Sequence, residues 1–278
     1  ELGVLVPLPE DEQRINQALV KAALMRRSDA QPSALQASFD FGESEQILQP
    51  LQAQWRDALE KARANRTVFL SCLGISWFWF YGSIYFIQLP NYARQVLGGD
   101  AGVFTLLLAV FSIGVAVGSL LCERLSGHKV EIGLVPFGSI GVTLFGVDLY
   151  FAHRDVALLH DQAVMTLLAQ PSTWRVLADL ALMAVFSGFY LVPLFALIQS
   201  RSARDQVSRV IAANNILNAA FMVLASVLAV VLLNRVGLTI PELLLYTALL
   251  NAVVAVYIYT LVPEFLLRFV AWIVSNTL

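Results

Sequence analysis

The chain has 278 residues, 58% of them apolar and 14% charged, with a mean hydropathy of +0.70. Ordinary soluble domains carry roughly 45–50% apolar and about 25% charged residues, and a net charge of −2 gives no support for nucleic-acid binding, which needs a basic face. The charges are also unevenly spread: 18 of 38 lie in the first 66 residues, leaving 20 for the other 212. A stretch that poor in charge is expected to be a membrane domain, not a conventional globular enzyme, and no cofactor is implied.

Residues 1–66 read as a cytoplasmic connector. The chain opens inside what looks like the end of an apolar segment (Leu2, Val4, Leu5, Val6), as expected of a piece of a longer polypeptide. Ile15, Leu19 and Ala22 follow helical spacing behind a cap at Asp11. Residues 30–54, rich in Gln, Ser and Pro, read as a linker. Trp55, Leu59 and Ala62 then recur opposite Arg56, Glu60 and Arg63, an amphipathic helix for the membrane surface or a solvated connector.

A helix needs roughly 20 apolar residues to cross the hydrocarbon core, and charges inside it are costly. Charge-free windows of 27, 22, 16, 21, 25 and 21 residues begin after Arg66, Asp100, Glu131, Asp179, Arg209 and Glu242. They predict six transmembrane helices, at about 67–89, 102–122, 131–152, 174–200, 208–233 and 242–262. Sheet or irregular backbone cannot satisfy itself in lipid, so the fold class is all-α. Residues 264–278 begin a following cytoplasmic or interfacial segment.

Lys and Arg near the span ends set orientation. One side collects ten of them around 56–66, 124–129, 201–209 and 268; the other holds Arg94, Arg154, Arg175 and Arg235. Both chain ends are therefore expected in the cytoplasm. The long external loop at about 153–173 carries His153, Asp155, His160 and Asp161 without tight ligand spacing, so it reads as solvated. Cys72 and Cys122 sit in apolar runs and read as packing residues, with neither a disulfide nor a metal site.

The turn after the second span reads Gly118-Ser-Leu-Leu-Cys-Glu123-Arg124-Leu-Ser-Gly127-His-Lys129. Glycine permits a tight turn, and the charges of Glu123, Arg124 and Lys129 can latch neighbouring helix ends in one conformation. This pattern resembles the loop signature of the major facilitator superfamily, with the acid five positions after the first glycine instead of four. Longer stretches are more specific: Asn65-Arg-Thr-Val-Phe-Leu-Ser, Gly74-Ile-Ser-Trp-Phe-Trp-Phe-Tyr-Gly82, Glu131-Ile-Gly-Leu-Val-Pro-Phe-Gly138, Ser187-Gly-Phe-Tyr-Leu-Val-Pro193, Leu197-Ile-Gln-Ser-Arg-Ser202 and Arg209-Val-Ile-Ala-Ala-Asn-Asn-Ile-Leu-Asn218. Over residues 56–264 these resemble the bacterial lysophospholipid transporters of that superfamily, in their second half.

The resemblance implies spans seven to twelve of a twelve-span transporter, one half of a major-facilitator bundle facing an N-terminal six-helix half. It also implies import of lysophospholipids across the bacterial inner membrane for re-acylation, a step of phospholipid remodelling. In some relatives an acyltransferase is fused behind the transporter. The tail Glu264-Phe-Leu-Leu-Arg-Phe-Val-Ala-Trp272 resembles the lead-in to one, but the chain holds none of its catalytic residues. Transport of another amphiphile or drug, or service as an anchor for the acyltransferase, are the alternatives.

A single-chain lipid needs a polar niche for its head and an apolar path for its tail. Trp77 and Tyr81, within the run Trp77-Phe-Trp-Phe-Tyr81, and Tyr190 are candidate cavity residues. So are Asn214, Asn215 and Asn218, because three amides within five residues cannot all face lipid cheaply, although interhelical hydrogen bonding explains them equally. Gly188 and Pro193 loosen the fourth span and mark a hinge or static kink. At about 1.5 Å per residue, Asp148 lies some 25 Å into the third span and Asp179 some 8 Å into the fourth, which runs the opposite way. The two carboxylates are thus expected at one external level, where they can attract an ammonium head group or coupling cation, or simply touch interfacial water.

Overall fold

In lipid each apolar run must satisfy its own backbone, and helix is the local solution. The computed structural model describes Glu60 and residues 65–126, 131–157, 161–261 and 263–277. The expected helix at 11–22, that at 55–63 apart from Glu60, and Gly127, Lys129 and His160 lie outside the described residues. The described part is helical: α1 (Arg66–Asn91), α2 (Ala101–Leu125), α3 (Leu134–Ala152), the short α4 (Val164–Leu168), α5 (Pro171–Arg201), α6 (Val207–Val231), α7 (Ile240–Leu261) and α8 (Pro263–Thr277). The six long helices α1, α2, α3, α5, α6 and α7 are each long and apolar enough to cross a membrane. α1 and α6 run on as π-turns over Tyr92–Val96 and Leu232–Val236, further than their charge-free windows indicate.

Helix starts use local capping chemistry. The Asn65 carboxamide oxygen accepts from the Thr67 and Val68 amides, and its Nδ2 donates to the Arg201 carbonyl at 3.1 Å, tying the start of α1 to the end of α5. Asp100 caps α2 through Val103 N. Thr239 and Glu242 form a reciprocal capping box before α7.

The long helices alternate in direction, and α5 is the central one. It packs along α3 and α2 and touches α1, while α1 packs along α6 and α7 along α3. Lipid gives no hydrophobic reward for helix association, so close backbone approach has to supply it. On α2, Gly114 and Gly118 are four residues apart and face α5. A Cβ at Gly118 would lie 2.0 Å from the Val185 carbonyl oxygen, and one at Gly188 would lie 2.5 Å from the Gly118 backbone. Around this crossing, one apolar cluster (Tyr85, Leu107, Leu149, Leu180, Leu243) fills the Arg175 end of the bundle, and a second (Cys72, Ile75, Val135, Leu194, Ile198) fills the Arg201 end.

Two expectations need correction. The turn motif is not all loop: α2 continues to Leu125, so Glu123 and Arg124 stand exposed on its last helical turn, and Gly118 serves a backbone crossing instead of a bend. The 153–173 segment is not simply solvated either. Gln162 is buried, exchanges backbone hydrogen bonds with Gly98 and Asp100, and donates through Nε2 to the Leu97 and Ala157 carbonyls. Leu167 of α4 is fully buried beneath it. At the Arg201 end, Phe269 and Trp272 of α8 lie 6.2 and 6.0 Å from Phe137 of α3.

Candidate functional site

Five consecutive residues cannot share a face of a helix with 3.6 residues per turn, and the aromatic run of α1 accordingly splits. Trp79 points out of the bundle. Phe80 is buried and stacks on Trp77 at 5.0 Å. Tyr81 does not line a cavity: it is buried in the core, stacked on Tyr85 at 4.7 Å with its hydroxyl directed at the Val142 carbonyl and Met183 Sδ. Trp77 is the exception.

Trp77 lines a cavity of about 460 Å³ in the Arg201 half of the bundle, between α1, α3, α5, α6 and α7. Leu73, Val135, Leu194, Phe221 and Ile258 supply apolar walls, and Ser139, Tyr190 and Asn251 supply the polar points. Those points are held rigidly. Trp77 Nε1 donates to Asn251 Oδ1 at 2.8 Å, Asn251 Nδ2 donates to Thr143 Oγ1 at 2.9 Å, and the Tyr190 hydroxyl donates to the Gly74 carbonyl at 3.0 Å. Phe78 stacks on the Tyr190 ring at 5.8 Å. An interhelical hydrogen bond in a membrane gains only about 0.6 kcal/mol on average, whereas a polar group left unpaired in an apolar medium costs roughly 2–7 kcal/mol. The network is therefore held together chiefly by the cost of breaking it.

The cavity fits the small-molecule range of about 300–1,000 Å³ and its usual mix of apolar walls with few polar groups. Asn251 escaped the sequence reading. The signal was present: one amide in the middle of an otherwise uncharged apolar run invites the reasoning applied to the α6 asparagines.

Those asparagines diverge. Asn218 accepts a 2.8 Å hydrogen bond from Ser76 Oγ between α6 and α1. Asn214 is fully buried with no hydrogen-bond partner for Nδ2 or Oδ1 among the described residues. Asn215 is exposed on the outer side of α6. None of the three lines the cavity. Pro193 is buried within α5, which continues helically to Arg201, and Gly188 has a packing reason for being glycine that requires no hinge motion.

At the opposite end, Asp148 and Asp179 do come together, with a residue that charge counting alone did not pair. Arg175 clasps Asp148 through two bonds, Nη2 to Oδ1 at 2.6 Å and Nε to Oδ2 at 3.2 Å, and reaches Asp155 at 3.7 Å. Asp179 is buried, interacts with Asp148 and Arg175, and leaves Oδ2 without a hydrogen-bond partner. Arg175 and Asp179 are four residues apart on one helix, a spacing visible in the sequence. Two arms of the pair are more than a third exposed, so the bridge itself is worth at most about 1 kcal/mol.

Comparisons with protein-family models, with curated proteins and with solved structures give no match for this chain. The described geometry stands on its own: an all-helical bundle of six membrane-length helices containing an apolar cavity with fixed polar points.

Proposed function

We propose that this chain is a six-span half of a secondary transporter of the major facilitator type, moving lysophospholipids across the bacterial inner membrane toward re-acylation, with both ends cytoplasmic. The observation that carries the reading is the Trp77–Asn251 cavity. Its volume and apolar walls admit one acyl chain, and Trp77, Asn251 and Tyr190 already have protein hydrogen-bond partners. A tail entering from the bilayer leaves surroundings as apolar as Leu, so the cavity offers passage without trapping. The quoted motifs of α1, α3, α5 and α6 supply the lysophospholipid and the superfamily. The thinly buried faces of α2 and α6 fit contact with an N-terminal half.

The test is leaflet transfer of fluorescent lysophosphatidylethanolamine by the full-length protein in proteoliposomes. Residues 1–278 alone should bind lysolipid yet not transfer it, because six spans supply one wall of a two-walled cavity. Transfer by the fragment at the rate of the full-length protein would overturn the half-transporter reading. Binding is read separately: a lysolipid with a spin label on its acyl chain should quench tryptophan fluorescence, and Trp77→Phe should remove much of that quenching. Quenching unaffected by Trp77→Phe would remove the cavity from the argument.

A further inference from the structure

A second cavity, of about 700 Å³, opens at the Arg175 end between the ends of α1 and α3 and the α6–α7 turn. Its polar lining differs in kind from that of the first. Four carboxamides (Gln88, Asn91, Gln95 and Asn234) share it with Arg154 and His153. No carboxylate is among the lining residues.

Four carboxylates of this end have other partners. Asp100 caps α2, Glu242 caps α7, and Asp148 and Asp155 attend Arg175. Arg94, Arg154 and Arg235 have no carboxylate within salt-bridge distance among the described residues. Each stands at a cavity-lining position or next to one, at the ends of α1, α3 and α6 respectively. The rim thus carries three arginines, with the neighbouring carboxylates of Asp155 and Glu242 turned to Arg175 and Thr239.

Arg154 is held in place: Nη2 donates to the Tyr150 hydroxyl at 2.6 Å, with the guanidinium 4.5 Å above the Tyr150 ring. Those contacts leave further N–H groups of its fork available. Gln88, 6% exposed, accepts from Asn91 Nδ2 at 3.1 Å, which leaves its own N–H₂ to donate. Pinned guanidinium, oriented amides and absent carboxylates suit an oxyanion with several acceptor oxygens.

We infer that this cavity binds the phosphate group of a lysophospholipid as it loads from the outer leaflet. The anion chemistry stands on the lining alone; assigning it to a lipid head group rests on the transport reading above. The arrangement also complements the first cavity, whose walls accept a tail but hold no charge for a head group.

The experiment measures binding to the whole chain in detergent by native mass spectrometry. The probes are lysophosphatidylglycerol, a monoacylglycerol with the same chain and inorganic phosphate. Lysophosphatidylglycerol should bind about ten-fold more tightly than the monoacylglycerol, the scale of one charge-assisted hydrogen bond. Arg154→Gln and Asn234→Ala should each erase most of that advantage and leave monoacylglycerol binding unchanged. Arg204→Gln, at the opposite end, should change neither, and thermal melting checks that each variant is folded. Equal affinity for both lipids, or an advantage that survives Arg154→Gln, overturns the site. Phosphate binding that depends on Arg154 but is not displaced by lysophosphatidylglycerol keeps the anion site and overturns its lipid assignment. Failure of transport with phosphate-selective binding intact would count against the transport reading alone.

Discussion

Trp77 and Asn251, 174 residues apart in sequence, meet through a 2.8 Å hydrogen bond inside the membrane-spanning bundle. The bond fixes α1 to α7 beside the cavity and, through Thr143, to α3. It commits both polar groups before any ligand arrives.

Asn251→Leu should therefore destabilise the bundle by about 1–3 kcal/mol, because the Trp77 indole N–H loses its acceptor in an apolar setting, while the Thr143 hydroxyl keeps its bond to the Ser139 carbonyl. Trp77→Phe removes the orphaned donor. The double variant should be less destabilised than the sum of the singles, and a double-mutant cycle by thermal or denaturant unfolding in detergent measures the coupling. Strict additivity would mean that the bond carries no coupling energy.

The α2–α5 crossing predicts a contrast between two glycines. Gly118→Ala places a methyl 2.0 Å from the Val185 carbonyl oxygen, where backbone must move. The expected cost is about 3 kcal/mol or more, read as loss of folded protein. Gly82→Ala meets only the Phe78 ring, at 3.7 Å. It should be neutral or stabilise by up to about 1 kcal/mol, as alanine generally does inside a helix.

The carboxylates at the Arg175 end should respond differently to neutralisation. Asp148→Asn weakens a bridge that is largely exposed and should cost less than about 1 kcal/mol. Asp179→Asn replaces a buried carboxyl with an unpaired oxygen by a neutral group of the same shape and should leave thermal stability unchanged or higher. In transport, Asp179→Asn should reduce uptake of lysophosphatidylethanolamine more than that of an anionic lysolipid. Asp148→Asn should do so less, because Arg175 already offsets that charge. Equal uptake of both lipids by wild type and variants would leave the acids without a part in transport.

If Glu123 and Arg124 latch the end of α2, Glu123→Ala and Arg124→Ala should shift the balance of inward and outward states without impairing membrane insertion. Single reporter cysteines on each face measure this by maleimide accessibility. The native Cys72 and Cys122 are 0% and 1% exposed, so background labelling should be low. Unchanged reporter accessibility would leave these charges a role in topology only.

Much of the fold was legible from one local quantity. Whether a residue carries charge decides its cost in hydrocarbon wherever its neighbours lie, so charge-free windows located all six long helices. The caps at Asn65, Asp100 and Thr239–Glu242 use residue types that favour helix starts, but they were seen only in the structure. Asp148 and Asp179 come level because rise per residue is constant. The place of Arg175 between them needed the packed helices, although its spacing to Asp179 was visible.

Azimuth and helix partnership required the tertiary structure. Trp77 and Tyr81 share a face of α1 one turn apart, yet one lines a cavity and the other fills the core, because different neighbouring side chains meet α1 at the two levels. Asn214, Asn215 and Asn218 form one motif in sequence and take three environments, since their partners stand on other helices. Gly188 reads as loosening α5 until Gly118 is seen against it. Composition and spacing thus determined that the chain spans a membrane and where its helices run. Side-chain meetings such as Trp77 with Asn251 were decided only when the helices packed, because each depends on the rotation of two helices at once.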